Sequence, residues 1–155
     1  KGLVTGEGPA RGWFSRRLPQ AIFAGFQTGE SLARAVASTD ILFNPSVTET
    51  FGNVTLEAMA TGRAVVAAQA TGSESLIDDP SMGRLIRPGA IKDFADALQS
   101  YCENKELRKE AGYNGYKRSE CYGWDNVNQI LADNYLSIIQ ARQQSGQAPR
   151  LKPRS

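Results

Sequence analysis

Two acidic side chains, Glu49 and Glu57, flank the stretch of this sequence that is best suited to chemistry. A carboxylate offers two acceptor oxygens and can hold two neighbouring hydroxyl groups of a sugar at once. The acids lie on either side of Gly52, where a loop is expected to turn into a helix. Such a turn presents free backbone N–H groups and the positive end of a helix dipole, which favour a phosphate. The stretch therefore predicts a nucleotide-sugar site.

The same residues also allow a structural interpretation. Ser46 and Glu49 have the spacing of a capping box, which would start the helix early. That helix would hold Gly52 in its first turns at a cost of about 1 kcal/mol, so a loop is favoured there. Glu57 would then be either a ligand contact or a solvated helix residue. Spacing alone leaves both interpretations of the acids open.

The candidate phosphate seat is Phe51-Gly52-Asn53. Glycine lets the backbone approach a ligand closely, and Asn53 is a suitable N-cap for the helix that follows. A glycine at a helix start is also common without any ligand. The turn at 6–9 lacks the third glycine of a dinucleotide fingerprint and is expected to be structural on its own.

Short apolar runs alternate with amphipathic stretches, which predicts an α/β fold: a Rossmann-like parallel sheet with helices on both faces. The ligand site of such a fold lies beyond the carboxyl ends of the strands. The loops at 6–9, 25–28, 44–53 and 69–73 are therefore expected to share one rim. The predicted strands are Gly2–Thr5, Ala21–Ala24, Ile41–Phe43, Ala64–Ala68 and Gly83–Ile86.

Helices are expected between these strands and after the last one. The first would begin at Pro9 and bury Trp13, Phe14 and Leu18, and a capping box is expected at Thr71–Glu74. The remaining predicted helices are 28–38, 53–60, 91–102, 107–120 and 124–140. Residues 143–155 are expected to be a disordered basic tail, native or left from cloning.

The composition excludes several kinds of chemistry. The chain has 155 residues and no histidine, which removes Ser-His-Asp and Cys-His catalysis and the commonest transition-metal ligand. Cys102 and Cys121 have no companion ligands, so we expect buried free thiols, no metal and a cytoplasmic location. The net charge is +2, and the tail carries three basic residues and no acid, so no basic face for nucleic acid is expected.

The stretch from Pro45 to Ala60, followed by Gly62 and by the apolar run at 65–67, closely resembles the retaining glycosyltransferases of family 4. That family carries a Glu-x7-Glu motif in the nucleotide-sugar-binding domain, which is the carboxy-terminal half of a two-domain GT-B fold. The resemblance extends from the turn at 6–9 to the helix start at Trp124. It implies an enzyme that moves a hexose from a nucleoside-diphosphate sugar, with GDP-mannose or a UDP-hexose favoured, to an acceptor hydroxyl.

The resemblance also implies roles for individual residues. Glu49 would position the donor sugar in the catalytic site, and Glu57 would hold the ribose diol. Gln27 would lie in the segment that contacts the base, and Gly6 would line the same cleft. The implied donor-binding set is Gly6, Gln27, Glu49, Thr50, Phe51, Gly52, Asn53, Val54 and Glu57.

The family needs no metal or other cofactor, and its mechanism is thought to rely on the leaving phosphate rather than on a protein base. Residues 1–142 are expected to be the donor domain, truncated at its amino terminus. The Arg and Lys that neutralise the diphosphate would lie upstream, and the acceptor-binding domain is absent, so this piece should bind donor weakly and not turn over. The expected partners are a nucleotide sugar and that missing domain, which alone would meet a membrane surface.

A non-catalytic α/β nucleotide-binding or regulatory module, such as a phospho-receiver, is the alternative. It needs an acid at the carboxyl end of a strand, whereas Asp40 precedes its strand.

Overall fold

Strands and helices alternate along the chain, as the sequence predicts. The computed structural model describes residues 1–48 and 50–144 and divides the chain into two units, Lys1–Ser119 and Glu120–Ser155. The strands are β1 (Leu3–Thr5), β2 (Ile22–Gly25), β3 (Ile41–Asn44), β4 (Ala64–Ala68) and β5 (Arg84–Ile86). The helices of the first unit are α1 (Arg11–Arg17), α2 (Gly29–Ala37), α3 (Asn53–Ala60), α4 (Thr71–Leu76), α5 (Ile91–Glu103) and α6 (Lys105–Ser119).

All of the strand pairs in the described residues are parallel, which confirms the predicted α/β class. β1 pairs with β2, and β3, β4 and β5 form a three-stranded sheet with β4 in the middle. Asn44 at the end of β3 lies opposite Ala67 of β4. The loops that leave the carboxyl ends of β3 and β4 therefore emerge at the same edge of the sheet.

The central strand β4 is covered on both faces. Each of its five residues is buried, and side chains of a strand point alternately to opposite faces. On one face Ala64 and Val66 join a core with three residues of α5 and α6, namely Ala97, Tyr101 and Ala111. Because the side chains of β4 are small, α5 and α6 can approach the sheet closely.

α6 packs closely against the turn that follows α3. Gly62 in that turn has φ +69°, a left-handed conformation that glycine adopts readily and other residues rarely do. A Cβ atom at Gly112 of α6 would overlap the carbonyl oxygen of Gly62 and lie 3.0 Å from its carbonyl carbon. Gly112 is therefore required for α6 to sit against the end of α3.

Two predictions about burial are wrong. α1 begins at Arg11 rather than Pro9, and Trp13, Phe14 and Leu18 are each almost half exposed. The apolar pattern marked a face of α1, but no residue of this helix is buried in the described chain.

Cys102 and Cys121 are free, as predicted, but both are exposed. Cys102 directly follows the buried Tyr101, and neighbouring positions on a helix point in different directions.

The described part of the second unit, residues 120–144, contains a short 3₁₀ turn at Glu120–Tyr122 and the helix α7 (Trp124–Gln144). The side-chain amide of Asn126 donates a hydrogen bond to the carbonyl oxygen of Glu120 (2.8 Å), which holds the turn against the helix start. α7 continues through Gln143 and Gln144, so the predicted tail begins later than residue 143, and its remainder lies outside the described residues. None of the described helices has the length and apolar character needed to cross a membrane.

Tyr101 makes the stability of the folded chain depend on pH. Its hydroxyl is fully buried and has no hydrogen-bond partner in the described part of the chain. Burial raises the pKa of Tyr101 above its ordinary value of 10.0, and nearby Arg84 opposes this. The folded chain therefore holds this proton more tightly than the unfolded chain does. Below the pKa that Tyr101 has in the unfolded chain, the free energy of unfolding does not depend on this group. As the pH rises above that pKa, the free energy of unfolding falls.

Tyr101→Phe is expected to remove that fall. At neutral pH the variant should be as stable as the parent or more stable by about 1 kcal/mol, because it loses an unpaired buried hydroxyl. Urea unfolding at about pH 8 and pH 11 measures both effects. Tyr113→Phe, which alters an exposed tyrosine, is the control and should follow the parent. An equal loss of stability with pH in the parent and in Tyr101→Phe would contradict this assignment.

Candidate functional site

The β3–α3 loop, residues 45–52, forms the centre of the candidate site. β3 ends at Asn44, directly before Pro45, which cannot donate to a strand ladder. Residues 46–48 are not helical, so the structure favours the predicted loop over an early capping-box helix. α3 begins at Asn53, after Gly52. Glu49, which the sequence assigns to the donor sugar, lies outside the described residues.

The start of α3 is built from backbone rather than side chains. Gly52 has φ +87° and is the N-cap, because its carbonyl oxygen accepts the first helical hydrogen bond, from the N–H of Leu56 (3.0 Å). No side chain caps this end. The N–H groups of residues 53–55 therefore have no acceptor within the helix, and they lie at the positive end of its dipole. This arrangement suits an anion.

Asn53 does not have the role that the sequence predicts for it. It was expected to be the N-cap, but it is the first residue of the helix, and its side chain is exposed. The cap falls one position earlier because Gly52 can adopt the left-handed conformation that turns the chain into α3. The amide of Asn53 is therefore exposed at the helix start.

The N-cap of α4 also lies one residue before its predicted position. The predicted capping box at Thr71–Glu74 is wrong, since the N-cap is Ala70, whose carbonyl oxygen accepts the N–H of Glu74 (2.9 Å). The pattern located the helix start to within one residue but assigned the cap to the wrong position.

The first turn of α4 packs directly on the β3–α3 loop. A Cβ atom at Gly72 would lie 2.7 Å from the carbonyl carbon of Phe51 and 2.9 Å from the backbone nitrogen of Gly52. Gly52 is itself buried, and a Cβ atom there would lie 3.4 Å from the Cδ1 atom of Leu76. Gly72 and the fully buried Leu76 thus form a floor under the phosphate seat.

The predicted contact residues on the rest of the loop and on α3 face solvent to different degrees. Phe51 is 40% exposed, Thr50 and Glu57 are exposed, and Val54 is half-buried. Glu57 lies one turn into α3 beyond Asn53, so its carboxylate is available to a ligand that is held at the helix start. The structure therefore brings together the described members of this part of the predicted set.

Gly6 and Gln27 lie on a second pair of loops, those after β1 and β2. The N–H of Gly6 donates to the carbonyl oxygen of Gly25 (2.7 Å), and Gly6 has φ +119°. The side-chain amide of Gln27 donates to the carbonyl oxygen of Ala24 (2.6 Å). That bond uses one amide proton and fixes the side chain within its own loop. The base contact predicted for Gln27 would therefore come from its remaining polar atoms.

Two residues that shape this site were not predicted from the sequence. Gly72 was noted only as part of a helix start, and Asn44 only as a loop boundary. Asn44 is a buried polar residue at the carboxyl end of a strand, and its position directly after the apolar run Ile41–Phe43 is the signal that could have identified it. Among residues 1–48 and 50–144, no group of three or more His, Cys, Asp or Glu side chains is placed to hold a metal ion.

A parallel α/β unit with a glycine-capped helix start at the carboxyl edge of its sheet is typical of nucleotide-binding domains. The family described as "Glycosyl transferases group 1" matches residues 1–104. The chain belongs to this family.

Two relatives agree with this assignment. The chain is 36% identical over 123 residues to the sulfoquinovosyl transferase SQD2 of Arabidopsis thaliana, which covers 77% of this chain and 24% of that protein. It is 37% identical over 110 residues to a D-inositol 3-phosphate glycosyltransferase of Corynebacterium kroppenstedtii, which covers 71% of this chain and 24% of that protein. The chain thus spans about a quarter of the length of these relatives.

Solved structures share the fold. Anabaena Alr3699/HepE, in complex with UDP, superposes with a TM-score of 0.74 at 24% identity over 87% of this chain and 40% of that chain. The C-terminal domain of the glycosyl transferase group 1 family protein LpcC from Francisella tularensis gives a TM-score of 0.59 at 30% identity, over 72% of this chain and 63% of that chain. The fold is that of GT-B glycosyltransferases.

Proposed function

We propose that this chain is the donor-binding domain of a retaining glycosyltransferase. The whole enzyme would move a hexose from a nucleoside-diphosphate sugar to an acceptor hydroxyl. The observation that carries this proposal is the start of α3, where Gly52 caps the helix and leaves the N–H groups of residues 53–55 open at the carboxyl edge of the sheet. Such a helix start favours an anion, and the phosphates of a nucleoside diphosphate fit this preference.

Backbone N–H groups would provide most of the phosphate binding at the start of α3. Residues 45–57 contain no lysine or arginine, so no basic side chain of this segment neutralises a phosphate. Hydrogen bonds to a charged group contribute about 1.5–3 kcal/mol each, and the helix dipole adds about 0.3–1 kcal/mol. The three backbone donors therefore favour a diphosphate even though this segment has no basic side chain. Basic side chains from the longer protein would strengthen its binding and stabilise the leaving group.

The two acids hold the rest of the donor in this proposal. Glu57 lies one turn beyond the phosphate seat and would accept both hydroxyls of the ribose, while Glu49 in the loop would accept hydroxyls of the sugar. Neither acid acts as a base here. The leaving phosphate would take the acceptor proton, and the configuration at the anomeric carbon would be kept. The chain has no histidine to act as a base in its place.

The donor is a UDP-hexose or GDP-mannose in this proposal. The Anabaena relative of the same fold was solved with UDP, which supports a uridine nucleotide. The acceptor would bind to a separate amino-terminal domain, since the chain spans about a quarter of its relatives. No metal or other cofactor is required, and the enzyme would work in the cytoplasm, meeting a membrane only through that other domain.

Glu57→Gln is expected to weaken UDP binding about tenfold, because the variant loses a charged acceptor for the ribose hydroxyls. Calorimetric titration of the chain with UDP and GDP, with EDTA present, measures this directly. The matched control is Glu110→Gln, which makes the same change at an exposed position of α6 and should bind like the parent.

A second comparison tests the contact between Glu57 and the ribose. The same titrations with 2′-deoxy-UDP should show a much smaller difference between Glu57→Gln and the parent, because one of the two hydroxyls is already gone. An equal loss for UDP and 2′-deoxy-UDP would place Glu57 away from the ribose. A parent chain that binds neither nucleotide at millimolar concentration would contradict the proposed function and favour a regulatory α/β module.

A further inference from the structure

A groove lies beside the place where α6 crosses the turn that follows α3. Three residues of that turn and three of α6 line it, and its volume is about 390 Å³. The lining residues of this α3–α6 groove are Ala60, Thr61, Gly62, Lys109, Tyr113 and Tyr116. Those from α6 have the spacing i, i+4, i+7, which places them on one side of the helix. The volume lies within the range of about 300–1,000 Å³ that is typical of small-ligand sites.

The α3–α6 groove is separate from the candidate donor site. α3 starts at the carboxyl edge of the sheet, and its eight residues span about 12 Å. The groove lies at the other end of this helix, just before β4 begins at Ala64 on the amino edge. Among the described residues, no member of the predicted donor-binding set lines the groove. A nucleotide and a second ligand can therefore be bound at the same time.

Two tyrosine rings form most of the α6 side of the groove. Tyr113 is 61% exposed and Tyr116 is 41% exposed, so each ring is partly open to a ligand. A tyrosine offers an apolar ring face and a hydroxyl that both donates and accepts hydrogen bonds. On the other side Ala60 and Gly62 have little or no side chain, which leaves room beside the rings. The groove therefore combines apolar faces with hydrogen-bonding groups.

The charges at the groove do not favour a strongly charged ligand. Its described lining contains no carboxylate, so a cation would find no charged partner there. The Nζ atom of Lys109, which lines it, lies 3.7 Å from the Oε1 atom of Glu106, which reduces the attraction of this lysine for an anion. The Nζ atom of Lys117 lies 5.8 Å from the ring centroid of Tyr116, a cation–π contact. A neutral ligand fits these surroundings best.

We propose that the α3–α6 groove binds a short neutral glycan, apart from both the donor and the acceptor. A pyranose ring has apolar C–H faces and hydroxyl groups around its rim, which is the combination that the groove offers. The faces would pack on Tyr113 and Tyr116, and the Nζ atom of Lys109 would donate to a hydroxyl. The chain belongs to a family of glycosyltransferases, whose substrates are sugars. This inference does not depend on the donor site at the start of α3.

Titration of the 155-residue chain with maltotriose, cellotriose and mannotriose tests the proposal through its backbone amide spectrum. At least one trisaccharide should shift the N–H signals of Thr61, Gly62 and Tyr113 together, with a dissociation constant in the millimolar range. The same shifts should appear when UDP is present. Sorbitol has hydroxyl groups but no pyranose ring face, so it should leave these signals unchanged.

Tyr113→Ala is expected to weaken trisaccharide binding about fivefold, because the variant loses one of the two ring faces. Tyr113→Phe keeps the ring and should retain most of the affinity. Trp13→Ala is the matched control, since it removes an exposed aromatic side chain from α1 and should bind like the parent. Thermal unfolding of each variant is recorded alongside. All three substitutions are at exposed positions, so the variants should fold.

The outcomes separate this inference from the proposed function. Absence of shifts with all three trisaccharides would overturn the inference and favour a protein partner, because tyrosine is enriched at protein interfaces. Equal affinity in the parent and in Tyr113→Ala, or shifts confined to the start of α3, would overturn it as well. A parent that binds a trisaccharide at the groove but does not bind UDP would contradict the proposed function alone.

Discussion

Gly112→Ala is expected to destabilise the chain by about 2 kcal/mol or more. The added methyl group would overlap the carbonyl oxygen of Gly62, which is backbone and cannot rotate away. Overpacking of this kind costs about 1–3 kcal/mol and occasionally more. Alanine also favours a helix over glycine by about 1 kcal/mol, which offsets part of the cost. The clash should still dominate, because α6 would have to move away from the end of α3.

Gly115→Ala is the matched control in the same helix. A Cβ atom there would lie 3.4 Å from both the Cγ atom of Met59 and the carbonyl oxygen of Met82, which are ordinary contact distances. This variant should be unchanged or stabilised by up to about 1 kcal/mol through helix propensity. Urea unfolding of both variants measures the difference. Equal stability for Gly112→Ala and Gly115→Ala would contradict the packing described for α6.

Gly72→Ala is expected to reduce nucleotide affinity at least tenfold, corresponding to about 1.4 kcal/mol. Its methyl group would collide with the backbone of Phe51 and Gly52, so either the β3–α3 loop or α4 must shift. Leu76 of α4 is fully buried and holds that helix in place. The loop should therefore move, and the helix start would lose its alignment with the phosphates.

The control for this variant is Gly12→Ala in the exposed helix α1, where a Cβ atom would lie 3.7 Å from an arginine side-chain nitrogen. It should bind nucleotide like the parent and be slightly more stable. Titration with UDP and thermal unfolding of both variants give the comparison. If Gly72→Ala unfolds with normal stability and binds UDP normally, α4 is not the floor of the site.

The fold and the bounds of the β3–α3 loop could be predicted because both depend on local signals. Pro45 and Gly52 mark the ends of one loop through their backbone restrictions, and the small apolar residues at 64–68 mark a strand that is buried on both faces. The predicted helix start after Gly52 is confirmed for the same reason. The role of Glu49 stays a prediction, because this residue lies outside those that the structure describes.

What the sequence could not supply is the contact between distant segments. Gly72 and Gly52 are twenty positions apart, and only the pairing of β3 with β4 brings their loops together. The apolar face of α1 illustrates the same limit, because periodicity identifies a face but not what covers it. The caps of α3 and α4 were each misplaced by one residue, since glycine and alanine occupy positions where a polar side chain is preferred.

The most direct test of the donor site is the backbone amide spectrum of the chain during titration with UDP. The site assignment predicts that the N–H signals of Gly52, Asn53 and Val54 shift together and saturate with one dissociation constant. Signals from α6, such as that of Glu110, should not move. Absence of shifts at millimolar UDP, or saturable shifts confined to residues away from the β3–α3 loop, would contradict the central claim.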